Sequence, residues 1–239
     1  MTQDVLEKLY AWSSIRPDQA LEFAKSGYLV IHDFANATTC RCLRKAILDY
    51  AQRESPIEVR WEKSTFDTFN GDEVDQNLPE LRQLYDQHLL LELHKLFAPL
   101  ATISDRRVGI SINLTSTNGK FQSHFDRHNM TAILYVNDDF SGGEMRFYPR
   151  IRYWLGHPSG SLKQKLQRVL DRMVRSKRYL KWLAKKMTLT PKAGDLLIFE
   201  GTRTYHGVTP VNGPNTRITI QFGYDRPGTT YDVSQYYGK

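Results

Sequence analysis

The chain has 239 residues, of which 40% are hydrophobic and 25% are charged, close to the average for a soluble globular protein. This composition excludes collagen-like, intrinsically disordered and disulfide-rich proteins, and no apolar run approaches the roughly 18 residues of a membrane-spanning helix. The N-terminal segment contains acids and no continuous apolar block, so we expect no secretory signal. A disulfide between Cys40 and Cys42 would be strained, so we expect free thiols and a cytoplasmic protein.

The net charge of +7 is concentrated in one segment. Residues 150–188 contain twelve Lys or Arg and a single acid, Asp171, so the rest of the chain is net negative. A protein that binds nucleic acid along a broad face carries positive charge across that face. The distribution therefore argues against a nucleic-acid binder.

The basic segment also has the hydrophobic period of an amphipathic helix, or of a helix pair, beginning near Ser161. In one interpretation the apolar stripe packs on the body and the charges face water. In the others, the basic helix 158–187 is a docking face for an acidic carrier protein, a lid that attracts an anionic substrate, or a membrane-surface contact. The apolar residues of the stripe are Leu162, Leu166, Val169, Leu170, Met173, Leu180, Leu183, Ala184 and Met187.

The front of the chain is predicted to contain helices, one short strand and one long loop. Residues 28–31 form an apolar run after a glycine, which predicts a buried strand. Residues 54–76 are polar and aromatic, which predicts a long loop of the kind that often carries function. The predicted helices, delimited by prolines and a cap signal, cover 1–25 (with a break at Pro17), 36–50 and 79–97.

From residue 107 onward the pattern changes to short strands. Residues 108–114 alternate between apolar and polar side chains, the period of a strand with one buried face. Many short strands at close spacing predict a β-sandwich or jelly roll, with the front helices covering one sheet. Further β-rich runs, separated by turn signals, lie at 130–136, 144–148, 195–199, 208–211 and 217–224.

Three side chains, His124, Asp126 and His206, form a candidate metal site. Residues i and i+2 of a strand point to the same face, so His124 and Asp126 can reach one ion while Phe125 turns away. His206 is the candidate third ligand from a separate strand. Two imidazoles and one carboxylate leave coordination positions open, as in the facial triad of non-haem Fe(II) oxygenases.

The residues around this trio resemble the Fe(II)/2-oxoglutarate-dependent dioxygenase superfamily, and in particular its prolyl-hydroxylase-like branch, over residues 107–225. The one departure is a longer gap between Asp126 and His206, which the basic segment fills as an insertion. The elements that carry the resemblance appear in the family's order: His124–Asp126, the strand Thr131–Asn137, Gly142–Glu144, Pro191–Phe199, His206 and Arg217.

The resemblance implies an enzyme that binds Fe(II) through His124, Asp126 and His206 and uses 2-oxoglutarate and O2 as co-substrates. Such an enzyme converts 2-oxoglutarate to succinate and CO2 while it oxidises an unactivated C–H bond. In related halogenases a small residue replaces the carboxylate, so Asp126 favours hydroxylation or another oxygenase-type oxidation. Desaturation and ring formation stay open, because they use the same iron centre.

The resemblance also implies a site for the second carboxylate of 2-oxoglutarate at Arg217. A guanidinium offers two parallel donors to a carboxylate. Thr219 lies on the same face of the predicted strand and can add a hydroxyl group. Tyr135 or Asn113 either supplies another bond to the co-substrate or is an ordinary strand residue.

Four residues are candidates for substrate contact. Arg127 and Arg203 lie close to the candidate ligands in sequence, so each either binds a substrate carboxylate or phosphate or is solvated or structural. His128 follows the H-x-D motif and is either a substrate contact or a structural residue. Trp61, with Phe66 on the predicted loop, is a candidate lid residue.

We therefore predict a single dioxygenase domain, 1–239, of α+β class with a double-stranded β-helix (jelly-roll) core. Residues 1–104 provide N-terminal helices that pack on one sheet, together with a first strand. Residues 105–149 and 189–225 form the jelly-roll core, and 150–188 form a basic helical insertion.

These residues leave three possible functions open. The first is hydroxylation of a small metabolite, such as an amino acid, free or carrier-tethered. The second is hydroxylation of a cytoplasmic protein side chain, of prolyl type. The third is a non-catalytic jelly-roll module that uses the basic helix for binding. The marks expected of that module, a broken metal trio or a missing Arg217, are absent from the sequence.

Overall fold

A computed structural model describes residues 12–59, 64–97, 99–152, 161–175 and 186–229. The helices of this part are α1 (Pro17–Ser26), α2 (Ala37–Arg53), α3 (Gly71–Asn77), α4 (Pro79–Gln83), α5 (Leu90–His94), α6 (Arg106–Gly109) and α7 (Ser161–Arg175), with a π-helical stretch, Leu84–Leu89, between α4 and α5. The strands are β1 (Tyr28–Ile31), β2 (Ile57–Val59), β3 (Phe66–Phe69), β4 (Ala101–Thr102), β5 (Ile110–Thr115), β6 (Phe121–His124), β7 (Met130–Tyr135), β8 (Ser141–Gly142), β9 (Met145–Tyr148), β10 (Met187–Leu189), β11 (Leu196–Phe199), β12 (Tyr205–Val208), β13 (Val211–Asn212) and β14 (Arg217–Asp225).

Two antiparallel sheets form the core of the fold. The larger has eight strands, in the order β1-β11-β7-β14-β5-β3-β2 with β4 beside β14, and the smaller has the order β10-β9-β12-β6. Strands β8 and β13 form a separate pair. Apolar side chains from both sheets pack together, with Ile133 and Leu197 of the larger sheet against Met145 and Phe147 of the smaller.

The front helices cover the other face of the larger sheet, as predicted. Phe23 of α1 and Leu43 of α2 join one buried cluster with Leu134 and Ile220 from the sheet. The start of α2 follows the predicted cap, because the Asn36 side chain accepts a hydrogen bond from a backbone N–H in the first turn. This mixed helix and antiparallel-sheet architecture matches the predicted α+β class.

The prediction of a long loop over 54–76 is wrong. This segment contains β2 and β3, which extend the edge of the larger sheet beside β5, and the helix α3. Asn70 caps α3, accepting from the N–H of Glu73 while the Glu73 carboxylate accepts from the Asn70 N–H. Asn70 and Gly71, which the prediction included in this loop, therefore begin a helix.

Three other boundaries also differ from the sequence expectation. Residues 106–109 form α6, so β5 begins at Ile110, and the predicted strand 208–211 is divided between β12 and β13. Met187 belongs to β10, which pairs with β9, and not to the basic helix.

The apolar stripe of α7 packs on the body only in part. Leu162, Leu166 and Val169 are exposed, whereas Val174 on another edge of the helix is buried. Leu170 and Met173 of the stripe are half-buried, so the stripe is covered only near the C-terminal end of the described helix. Leu180, Leu183 and Ala184 lie outside the described residues. Within the described chain, every helix is too short or too polar to span a bilayer.

Candidate metal and co-substrate site

Two neighbouring strands of the smaller sheet bring the candidate ligands together. His124, at the end of β6, lies opposite His206 of β12 in the antiparallel register, and their ring centroids are 4.5 Å apart. Oδ1 of Asp126 lies 3.2 Å from Nε2 of His124 and 3.4 Å from Nε2 of His206. One ligand atom from each residue falls within 4.8 Å of the others, so the three can converge on a single ion.

Hydrogen bonds behind the two imidazoles fix their orientation. Nδ1 of His124 lies 2.7 Å from the carbonyl oxygen of Gln122, and Nδ1 of His206 lies 3.1 Å from that of Thr204. Because a carbonyl oxygen only accepts, we assign the proton to Nδ1 in both rings. Nε2 of each ring, the atom that faces Asp126, is then the one that would bind a metal.

The Asp126 carboxylate is buried and ionised. Burial alone would raise its pKa, but His206 and His124 together hold the pKa of this carboxyl well below its usual range. Its second oxygen, Oδ2, accepts a hydrogen bond of 2.6 Å from the Thr131 hydroxyl, which orients the group. Gly201 packs closely here, because a Cβ at this position would lie 2.5 Å from Thr131 Oγ1 and 3.0 Å from Asp126 Cβ.

A buried arginine lines the same cavity as the ligand trio. Arg217, at the start of β14, is 2% exposed and forms no ion pair with a carboxylate among the described residues. Its Nη1 donates to Thr219 Oγ1 at 3.4 Å, and its guanidinium carbon lies 5.3 Å from the centroid of the Tyr135 ring. Burial lowers the pKa of Arg217 from its ordinary value, which reflects the cost of a desolvated cation without a counter-ion.

The polar atoms around Arg217 fit a dicarboxylate. Arg217 Nε, the Tyr135 hydroxyl and Thr115 Oγ1 are buried and make no hydrogen bond to a residue that the structure describes. Thr219 lies between Asn113 and Tyr135 in the sheet register, and Arg217 lies opposite Thr115. A carboxylate at this place would accept from these donors and neutralise the guanidinium. The residues present therefore fit 2-oxoglutarate.

One cavity of about 440 Å³ connects the ligand trio with Arg217. This volume lies in the range of small-molecule sites. Phe66 and Phe121 stack in its wall with ring centroids 3.9 Å apart. The larger sheet contributes a row of polar side chains to the cavity: Thr68, Ser111, Asn113, Thr219 and Gln221.

Two of the predicted substrate residues, Arg127 and His128, line this cavity. His128 is buried, and burial lowers its pKa, so its ring is neutral at neutral pH. A neutral imidazole can donate one hydrogen bond and accept another.

The structure does not bring Arg203 into the cavity. Its Nη1 donates to the Glu200 carboxylate at 3.0 Å, and its Nε donates to the carbonyl oxygen of Arg152 at 2.9 Å. These bonds give Arg203 a structural role, which was the alternative left open by the sequence. Trp61, the predicted lid residue, lies outside the described residues.

Sequence reasoning missed three residues that shape the site: Thr131, Gly201 and Thr115. Thr115 had a signal, because it continues the period-two row of polar side chains that begins at Ser111 and Asn113. The contact of Thr131 with Asp126 and the close approach at Gly201 had none, because both depend on the loop geometry after β6.

Comparison with known families identifies the strands that carry this site. A family model for the 2OG-Fe(II) oxygenase superfamily matches residues 110–224, which contain the three candidate ligands and Arg217. No curated protein matches the sequence.

Solved structures share the fold at low sequence identity. The non-haem, α-ketoglutarate-dependent carbocyclase SnoK from nogalamycin biosynthesis superposes with a TM-score of 0.65 at 17% identity, covering 92% of this chain and 89% of its own. HygX from Streptomyces hygroscopicus, with nickel and 2-oxoglutarate bound, has a TM-score of 0.62 at 14% identity, with coverages of 91% and 90%. A Pseudomonas putida prolyl-4-hydroxylase has a TM-score of 0.55 at 17% identity, with coverages of 89% and 99%.

These neighbours confirm the predicted jelly-roll fold. The family model confirms the predicted kinship, the enzyme class, and the use of Fe(II), 2-oxoglutarate and O2. Residues 110–224, somewhat less than half of the chain, match the 2OG-Fe(II) oxygenase superfamily, whose members are Fe(II)/2-oxoglutarate-dependent dioxygenases.

Proposed function

We propose that this dioxygenase hydroxylates an unactivated C–H bond of a small metabolite, with Fe(II) bound by His124, Asp126 and His206. The observation that carries the proposal is one cavity that contains three converging ligand atoms and a buried arginine, Arg217, which has no carboxylate partner among the residues that the structure describes. Iron, 2-oxoglutarate and O2 together supply the oxidation: one oxygen atom enters the substrate, the other enters succinate, and CO2 is released.

The larger sheet binds and orients the co-substrate in this proposal. Arg217 pairs with the carboxylate remote from the iron, and the Thr219 hydroxyl adds a donor beside it. The Tyr135 hydroxyl is the further donor that we favour, because it is buried and makes no hydrogen bond within the described part of the chain. Asn113 lies opposite Thr219 in the register of β5 and β14, and it lines the cavity together with the other polar side chains of the larger sheet.

The remaining part of the cavity indicates the substrate chemistry. The cationic Arg127 and the neutral His128 lie among apolar walls that include the stacked pair Phe66 and Phe121. This combination favours a small substrate with a carboxylate or phosphate next to an apolar part. A structural neighbour, SnoK, is a carbocyclase of nogalamycin biosynthesis, which supports a small-molecule substrate and keeps ring formation among the outcomes.

Two alternative substrates each have one supporting observation. The Pseudomonas putida prolyl-4-hydroxylase among the structural neighbours supports a protein side chain. The exposed cations Lys165, Arg168 and Arg172 of α7 support a substrate tethered to an acidic carrier protein, which would dock on this helix.

Turnover without any added substrate tests the enzyme assignment. We expect metal-free protein that is reconstituted with Fe(II) to form succinate slowly from 2-oxoglutarate and O2, and His206→Ala to abolish this reaction. His88→Ala is the matched control, because this half-buried histidine lies outside the cavity. Equal succinate formation by His206→Ala and the wild type would contradict the metal site.

A metabolite panel read by mass spectrometry then separates the substrate classes. A small-molecule product heavier by one oxygen atom supports the proposal, whereas a product lighter by two hydrogen atoms indicates desaturation or ring formation. Oxygen incorporation into a protein and into no metabolite would contradict the small-metabolite substrate.

A further inference from the structure

Helix α7 packs against the residues that flank the candidate metal ligands in sequence. Its buried Val174 contacts an aromatic cluster that includes Phe125 and Tyr205. Phe125 lies between the ligands His124 and Asp126, and Tyr205 directly precedes the third ligand. The ring centroids of Phe125 and Tyr205 are 5.1 Å apart. Helix α7 therefore contacts both segments that carry the candidate ligands, through residues that are not themselves ligands.

An ion pair adds a directional contact to this packing. Arg152 Nε donates to Asp171 Oδ1 at 2.9 Å, and Nη2 donates to Oδ2 at 2.6 Å, which is the bidentate arrangement. Arg152 Nη1 also donates to the carbonyl oxygen of Thr202 at 3.2 Å. Asp171 is the single acid among the twelve bases of residues 150–188, and it sits where α7 meets the body.

The same guanidinium stacks on the residue between two ligands. The Arg152 guanidinium carbon lies 3.7 Å from the centroid of the Phe125 ring. A planar guanidinium at this distance makes a cation–π contact, and its orientation is set by the Asp171 carboxylate that holds both nitrogens. A continuous chain of contacts thus runs from Asp171 through Arg152 to Phe125.

We propose that Asp171 and Arg152 are positioning residues for the metal site. The ion pair holds the guanidinium flat against Phe125, and this contact fixes the backbone from which His124 and Asp126 project. The inference rests on the proposed metal ligands. In this proposal the insertion has a role besides its exposed basic face. Asp171, the one acidic side chain of α7, supports the segment that carries His124 and Asp126.

Metal binding by the metal-free protein tests the inference directly. We expect Asp171→Asn, a nearly isosteric change, to weaken Co(II) affinity about tenfold by calorimetry, the scale of a lost outer contact of a metal ligand. The visible absorption of bound Co(II) should change in the same variant, because the ligand geometry relaxes. Arg152→Lys should act in the same direction, since lysine keeps the charge and loses both the bidentate pairing and the planar stacking.

Asp75→Asn is the matched control for this experiment. Asp75 pairs with Arg82 at 2.5 Å and Arg106 at 2.6 Å, and the Asp75–Arg82 pair is as shielded as Asp171–Arg152. We expect this control to lower the melting temperature and to leave Co(II) affinity unchanged. If Asp171→Asn lowers the melting temperature in the same way and does not change Co(II) affinity, the positioning role is overturned.

A double-mutant cycle separates the chain of contacts from general destabilisation. Phe125→Leu removes the stacking surface, so its effect on Co(II) affinity should not add to that of Asp171→Asn. Fully additive effects would overturn the proposed chain. If the wild-type protein does not bind Co(II), the proposed metal site itself fails, which is a different result from wild-type binding that Asp171→Asn does not alter.

Discussion

Arg217 is the residue at which the fold most clearly requires a ligand. Its guanidinium is buried between strands, and its Nε has no partner among the described residues. A desolvated cation without a counter-ion costs stability, and a bound carboxylate would remove that cost. The positive charge that is costly to bury is therefore the charge that selects an anionic co-substrate.

Arg217→Lys tests this interpretation. We expect the KM for 2-oxoglutarate to rise about 10- to 100-fold, because a charged hydrogen bond is worth about 1.5–3 kcal/mol and lysine cannot donate from two fixed nitrogens. The measurement is the initial rate of succinate formation against 2-oxoglutarate concentration. Thr219→Val should have a smaller effect, since its bond to Arg217 is long at 3.4 Å. An unchanged KM in Arg217→Lys would contradict the assignment.

At the scale of single residues, a side chain's place in the site could be predicted when local backbone geometry sets its direction. His124 ends β6 and Asp126 lies two residues beyond the strand, so the strand period predicted the common side of the two residues but not the 3.2 Å between them. Arg203 is close in sequence to a candidate ligand, but its partners Glu200 and Arg152 decide where its side chain lies. Tertiary partners of this kind are not encoded in local spacing.

At the scale of elements, prediction failed for the short strands β2 and β3 but succeeded for β1, whose four residues form an apolar run. Strands β2 and β3 have three and four residues, so they are too short to show a clear period of two. Strand β3 pairs with β5, which lies more than forty residues away in sequence, and β2 pairs with β3. The longer strands β5 and β14 were predicted to within two residues at each end, because both faces of β14 are buried and β5 is nearly so.

The cap of α3 gives a test at this scale. Asn70 accepts hydrogen bonds from the N–H groups of Asp72 and Glu73 at 2.9 and 3.2 Å. We expect Asn70→Ala to lower the free energy of unfolding by about 1 kcal/mol, the usual contribution of such a cap, and Asn70→Asp to retain it. Urea unfolding measures the difference. Equal stabilities of Asn70→Ala and the wild type would show that the cap contributes nothing.

At the scale of the whole molecule, the strand order of one part could be predicted from the sequence. The arrangement of the rest depends on contacts between residues that are distant in sequence. The family model covers 110–224, and there the order of strands and ligands follows the family's sequence pattern. The front helices were predictable as helices, but their packing on the larger sheet is a property of the assembled core. The apolar stripe of α7 departs from the expected packing at Leu162, Leu166 and Val169, which are exposed, because the described helix meets the body near Val174.

One buried carboxyl couples the stability of the molecule to pH. Burial raises the pKa of Asp225 to about 7, and its Oδ2 makes no hydrogen bond to a described residue, although Asn129 donates to Oδ1. An unfolded aspartate ionises near pH 4, so between about pH 4 and 7 the unfolded chain binds fewer protons at this residue than the folded chain does. The contribution of Asp225 to stability therefore falls as pH rises through this window and is constant above it.

Asp225→Asn isolates this contribution, because an amide resembles the protonated acid and does not titrate. We expect the variant and the wild type to have similar unfolding free energies near pH 4. The variant should become the more stable protein as pH approaches 8, by at most about 4 kcal/mol for a shift of about three pKa units. Urea unfolding of both metal-free proteins at a series of pH values measures the difference, in which the titration of every other group cancels. Two parallel stability curves would show that Asp225 ionises in the folded protein as it does in the unfolded chain.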